Sequence, residues 1–110
     1  VLSFRHDKDY TIALAWHDPA APDDYRAYLE GVMPAVEAVG GRLFHTLLNP
    51  RYVEEASDAS GPSEITIMEW DSAFDLAAFQ SSDTFLEHYS KLHSGTTRFE
   101  LYRVAPIFEG

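Results

Sequence analysis

Five histidines, eighteen carboxylates, six tyrosines and no cysteine are the groups from which this 110-residue chain can build chemistry. Without a thiol there is no disulfide, no thiolate nucleophile and no Cys-based zinc site. Imidazoles serve as acids and bases near neutral pH, so proton transfer is the chemistry left open. Three histidines fall where a pocket can form: His17 at the end of a strand-like segment, His45 inside a second, and His88 on a late helical segment. His45 is the expected base, because it interrupts the apolar run Leu43-Phe44-His45-Thr46-Leu47 and a strand-borne imidazole facing a closed cavity is positioned and desolvated. His17 or His88 is the expected second acid or base, and each of the three has an ordinary alternative as a rim or interface residue. No metal site is expected. His88 and His93 are five apart, about 140° around a helix, and neither a strand His-X-His nor a helical pair four apart occurs.

Aromatic residues supply the walls such a base needs. Trp70 and Phe79 are the expected walls of a pocket for a flat, apolar ligand, with Tyr102 beside them. Arg98 or Tyr102 is the expected partner of an oxyanion on that ligand, and Arg98 or Arg103 can hold its carboxylate or else pair with surface acids. A cavity of several hundred cubic ångströms lined by Trp70 and a histidine is what an enzyme needs. A lumen filled by Met68, Trp70 and Tyr102 is what a non-catalytic module would show.

Four strands and two helical regions have to position these groups. Tyr10-Thr11-Ile12-Ala13-Leu14-Ala15-Trp16-His17 puts bulky apolar residues at every second place, the period of a strand. Pro22 followed by two aspartates starts a helix over 22–39, with Tyr25, Tyr28, Leu29, Val32, Val36 and Val39 on one stripe. Gly40-Gly41 stops it, and Pro34 inside it predicts a kink, since its missing N–H leaves the Glu30 carbonyl without a bond. Residues 42–48 and 64–71 read as strands two and three. Ser72 and Ser82 each open a short helix, the second ending at Gly95, and 98–105 returns to strand alternation. Residues 1–8 form an arm, 54–63 a small, acidic, mobile hairpin loop, and 106–110 a tail.

This order is the split βαβ arrangement of a ferredoxin-like α+β fold, with four antiparallel strands and the helices on one face. Ile65 and Ile67 are expected under the helices and Thr66, Met68 and Trp70 on the uncovered face, where a second copy of the sheet would cover them. A homodimer follows, with two sheets around a shared barrel-like core.

Length and charge agree with one such domain. A chain of 12.4 kDa holds a single core. Eight basic against eighteen acidic residues give −10, which argues against nucleic acid and against anionic membranes as partners. No apolar run reaches the roughly 18 residues of a spanning helix and no signal-peptide core opens the chain, so a cytoplasmic domain is expected. No Gly-rich phosphate loop or nucleophile elbow occurs, and no cofactor is expected.

Tyr10 to Asp18 with Tyr25-Arg26-Ala27-Tyr28, Pro34, Gly40-Gly41-Arg42, Glu69-Trp70-Asp71-Ser72 and Phe79-Gln80-Ser81-Ser82-Asp83-Thr84-Phe85 resemble the dimeric α+β barrel superfamily. Within it the resemblance is to a branch of small bacterial proteins classed as a domain of unknown function, and more distantly to antibiotic-biosynthesis-type monooxygenases. The resemblance implies a pocket between sheet and helices or in the barrel lumen, walled by a tryptophan at the end of the third strand, the place of Trp70. The haem-degrading branch adds a histidine about ten residues later, where this chain has Gln80 or Ser81. The expected function is therefore binding of a small organic molecule, with cofactor-free cyclisation, isomerisation or oxygenation of an aromatic or enol by His-assisted proton transfer. A non-catalytic ligand-binding or stress-related dimer is the alternative, and a haem or metal protein a third.

Overall fold

The computed structural model describes residues 3–51 and 61–104. Strand β1 (Asp9–His17) leads to helix α1 (Asp24–Ala38), strands β2 (Arg42–Leu48) and β3 (Glu64–Trp70), helices α2 (Ala73–Gln80) and α3 (Asp83–Gly95), and strand β4 (Thr96–Val104). The four strands form one antiparallel sheet in the order β2-β3-β1-β4, with the first and third strands central. This is the α+β, ferredoxin-like arrangement that the strand and helix periodicities predict. Most of residues 54–63 and all of 106–110 lie outside the described residues, so the hairpin-loop and tail expectations lie there too.

Local chemistry sets the element ends. Helix α1 starts two residues later than expected and buries Tyr25, Tyr28, Leu29, Val32 and Val36. It continues through Pro34 without interruption. Packing of the apolar stripe holds the turn around the missing hydrogen bond. After α1, Gly40 takes φ +87°, a conformation that favours glycine, and Gly41 N–H donates to the Val36 carbonyl at 2.9 Å. Gly41 also lets the chain pass Trp70: a Cβ there would lie 2.7 Å from the indole. Ser72 and Ser82 accept from the Asp75 and Phe85 amides at 3.4 and 3.2 Å, so two side-chain caps divide the helical region into α2 and α3. Strand β4 begins at Thr96, two residues before the expected start.

The sheet's faces are the reverse of the sequence expectation. Glu64, Thr66, Met68 and Trp70 point under the helices, together with Thr11, Ala13 and Ala15 of β1. Ile65, Ile67 and Glu69 point to the uncovered face, beside Ile12, Leu14 and Trp16. A strand's parity is binary, so one misread residue moves the whole set. Trp70 decides it: the indole packs on Phe79 with ring centroids 5.5 Å apart, and its Nε1–H donates to Thr11 Oγ1 at 3.1 Å. The small β1 residues under the helices make room for the tyrosines and phenylalanines that α1, α2 and α3 send down. Among the described residues no helix is long and apolar enough to cross a membrane.

Candidate functional site

Between the sheet and the helices lies a cavity of about 180 Å³. Its floor is Thr11, Ala13, Thr66, Met68 and Trp70, its roof comes from α1 through Tyr25, Tyr28, Leu29 and Val32, and α2 and α3 close it with Phe79, Phe85 and Tyr89. The wall is mostly hydrocarbon, and among the described residues no charged side chain lines it. Five hydroxyl-bearing residues, Thr11, Tyr25, Tyr28, Thr66 and Tyr89, and the carboxamide residue Gln80 interrupt the apolar lining. Burial pushes the Tyr25 phenol up to about 12, with its hydrogen bond to Thr66 opposing the shift, and raises Tyr28 as well. Both phenols stay protonated at neutral pH.

A charged cluster sits behind this wall. Glu64 is 2% exposed, and Thr66 Oγ1 donates to its Oε2 at 3.2 Å. Its other oxygen has Arg26 Nη2 at 3.5 Å and His17 Nε2 at 3.6 Å. The strands bring these together: Glu64 and Thr66 share one face of β3, and a register shift between Trp16 and His17 turns the end of β1 toward them. Ser63 Oγ accepts from the His17 amide at 3.0 Å, and the imidazole lies 5.4 Å from the Tyr25 ring. His17 Nε2 is buried and has no hydrogen-bond partner. Such a nitrogen beside a buried carboxylate is equipped to take or give a proton.

The other expected residues are spread over the molecule. Trp70 and Phe79 stand in the cavity wall. His45 pairs with Ile67 in the sheet and is exposed on the uncovered face, beside the Phe44 ring at 5.7 Å, so among the described residues it faces no closed cavity. A second register shift between Leu43 and His45 accompanies this placement. Tyr102 and Arg98 occupy that same uncovered face on β4, opposite Ile12 and Trp16. Arg98 stacks on Trp16 at 4.9 Å and pairs with Glu100, and the Tyr102 hydroxyl also donates to Glu100. His88 lies between α3 and α1, its Nδ1 2.9 Å from the Thr84 carbonyl and its ring against Gly31. The three histidines are thus not brought together, and none lines the cavity.

Sequence reasoning missed Glu64, Thr66, Tyr25 and Arg26. Alternation along β3 groups Glu64 and Thr66 with Met68 and Trp70, and it becomes a signal only once the face that Trp70 takes is known. Among the described residues no three His, Asp or Glu side chains converge as a metal site would need.

Solved structures of the same shape are numerous. A protein of unknown function from Rhodopseudomonas palustris superposes with TM-score 0.80 at 16% identity, covering 96% of this chain and 86% of its own. A dimeric protein of unknown function and ferredoxin-like fold from Bacteroides fragilis gives 0.60 at 12%, covering 93% and 99%. A Nitrosomonas europaea protein provisionally assigned as an antibiotic biosynthesis monooxygenase gives 0.69 at 12%, covering 97% of both chains. At these identities the likeness carries the fold alone. A comparison with curated proteins returns no match. Residues 8–105 match the domain of unknown function DUF1330, and the chain belongs to that family.

Proposed function

We propose that this protein is a homodimer that binds a small, largely apolar, neutral organic molecule in the cavity between its helices and its sheet. The cavity carries this reading. At about 180 Å³ it exceeds the roughly 150 Å³ that takes up benzene in an engineered apolar core, so it admits one ring with a small substituent. A ligand carboxylate is disfavoured there, because an anion would be desolvated with no cation in the wall. Arg98, the expected carboxylate partner, is engaged on the opposite face.

The dimer rests on the uncovered face. Ile12, Leu14, Trp16, Ile65, Ile67 and Leu47 form one apolar surface there, and no element of the described chain covers it. A second sheet laid on it would place His45 and Tyr102 inside a shared barrel. The Bacteroides fragilis protein of the same fold is dimeric, which supports this assembly. The net charge of −10 speaks against nucleic acid and anionic membranes as partners.

Native mass spectrometry of freshly purified protein tests both parts at once. The expected species is twice 12.4 kDa, with or without a small co-purified mass. A monomer at micromolar concentration would remove the shared barrel. Failure of toluene to shift the Trp70 indole N–H resonance would remove the cavity as a binding site.

Cofactor-free proton transfer on the bound molecule is a second reading, favoured by one observation, the unpartnered His17 Nε2 beside the buried Glu64 carboxylate. In it the proton passes between the bound molecule and the His17–Glu64 pair by way of the Tyr25 and Thr66 hydroxyls of the wall, and Trp70 and Phe79 hold the ring. Turnover of phenols or enols by the wild type, lost in Glu64→Gln and His17→Ala, is the expected result. Turnover that survives both changes would assign the chemistry elsewhere, with His45 and His88 next to be replaced.

A further inference from the structure

One end of the cavity has a fixed hydrogen-bond polarity. A threonine hydroxyl has a single proton, and that of Thr66 is committed to Glu64 Oε2 at 3.2 Å. An ionised carboxylate only accepts, so the bond cannot run the other way. The Glu64 carboxylate is held in place by Arg26 Nη2 at 3.5 Å and is 2% exposed, with Thr66 at 1%. What Thr66 presents to the cavity is therefore a lone pair. The Tyr25 hydroxyl is its neighbour in the same wall. The two hydroxyls are hydrogen-bonded to each other, and with the Thr66 proton on Glu64 that bond runs from Tyr25 to Thr66, leaving the Tyr25 oxygen with a lone pair to spare. With both protons committed in this way, this end of the cavity offers an acceptor and has no proton to give.

From this polarity we infer that the cavity selects a neutral ring bearing a hydroxyl, a phenol or an enol, which donates to the Thr66–Tyr25 end while its ring lies against Trp70 and Phe79. Glu64 is a positioning residue: it touches no ligand and acts by orienting the Thr66 proton. The inference rests on the cavity being the binding site. It goes further in naming the ligand's chemical class, because a purely hydrocarbon cavity discriminates the opposite way. There a phenol binds more weakly than toluene, since its hydroxyl loses water and gains nothing.

The test compares toluene, anisole and phenol, three probes of similar size, by titration against the wild type, following the Trp70 indole N–H resonance. Phenol is expected to bind at least as tightly as toluene and about tenfold tighter than anisole, which has an oxygen but no proton to donate. The phenol-to-anisole ratio is expected to fall toward one in the double variant Thr66→Val, Tyr25→Phe, and to persist in Thr66→Ser. Toluene and anisole binding with phenol no tighter than anisole would overturn the inference and leave the cavity reading intact. No binding by any of the three would overturn both. The wild-type comparison decides the matter even where a variant fails to fold.

Discussion

Tyr10 and Glu69 stand directly opposite each other on β1 and β3, and the Tyr10 hydroxyl donates to Glu69 Oε2 at 2.7 Å on the sheet face away from the helices. Arg42 Nε donates to the other carboxylate oxygen at 2.8 Å, and the Arg5 amide donates to the Tyr10 oxygen at 2.6 Å. The arm, β1, β3 and β2 are thus tied by one polar chain. Phe4 and Phe44 cover it, with rings 4.7 and 5.5 Å from Tyr10. Arg42 is the main cause holding the Glu69 carboxyl below its ordinary 4.5, with Tyr10 adding to it and burial opposing. A carboxyl that titrates lower in the folded state stabilises that state fully above its unfolded value, and the contribution is lost as pH falls through the folded value. Urea melts from pH 7 to pH 3 are expected to show an acid-side loss of stability that is smaller in Glu69→Gln. Tyr10→Phe is expected to cost about 1 kcal/mol at pH 7, for one lost buried hydrogen bond. Identical acid limbs in the wild type and Glu69→Gln would refute the assignment.

Helices α1 and α3 cross where Gly31 meets His88. A Cβ on residue 31 would lie 2.2 Å from His88 Cδ2, so Gly31→Ala forces the imidazole or the helix to move. Overpacking of this kind costs about 1–3 kcal/mol, against about 1 kcal/mol gained from alanine's helix propensity. Thermal denaturation is expected to show Gly31→Ala below the wild type. In the His88→Ala background the same change should be neutral or stabilising. A destabilisation of equal size in both backgrounds would show that the crossing is not the cause.

Phe79 is 6% exposed and closes the cavity against Trp70 and Phe85. Phe79→Ala is expected to lose about 3–5 kcal/mol, from lost burial plus the enlarged void. Ligand that binds only the folded state restores stability by mass action. Saturating toluene should therefore raise the melting temperature, and raise it more in Phe79→Ala than in the wild type. Calorimetric scans with and without toluene read both quantities.

Ile67 sits at the centre of the uncovered face, between Ile12 on β1 and His45 on β2. A carboxylate there would be desolvated by a facing sheet but hydrated in a monomer. Ile67→Glu is expected to convert a dimer to a monomer by native mass spectrometry while far-UV circular dichroism stays unchanged. A dimer that tolerates the change would place the contact elsewhere.

Alternation over Tyr10 to His17, the apolar stripe of α1, the Gly40-Gly41 stop and the two serine caps are local features with local causes. From them the element order, and from the order the ferredoxin-like sheet, were readable in the chain alone. The absence of cysteine was readable the same way. The face to which β3 sends its side chains was not readable. Residues 65, 67 and 66, 68, 70 are both apolar enough to be core, and only the fit of the Trp70 indole against Gly41, Val36 and Phe79 selects between them. That choice then carries Glu64 and Thr66 inward and leaves Ile67 and, across the strand pair, His45 outward. His45 stands out by interrupting an apolar run, whereas Glu64 looks like any strand-opening acid. Burial and neighbours on α1 and β1, 38 and 47 residues away in the chain for Arg26 and His17, give Glu64 its place. Composition and period are properties of short stretches and survive in the sequence. Which face is covered, and which charge is buried beside which cavity, depends on contacts between distant elements and exists only once the sheet and helices have packed.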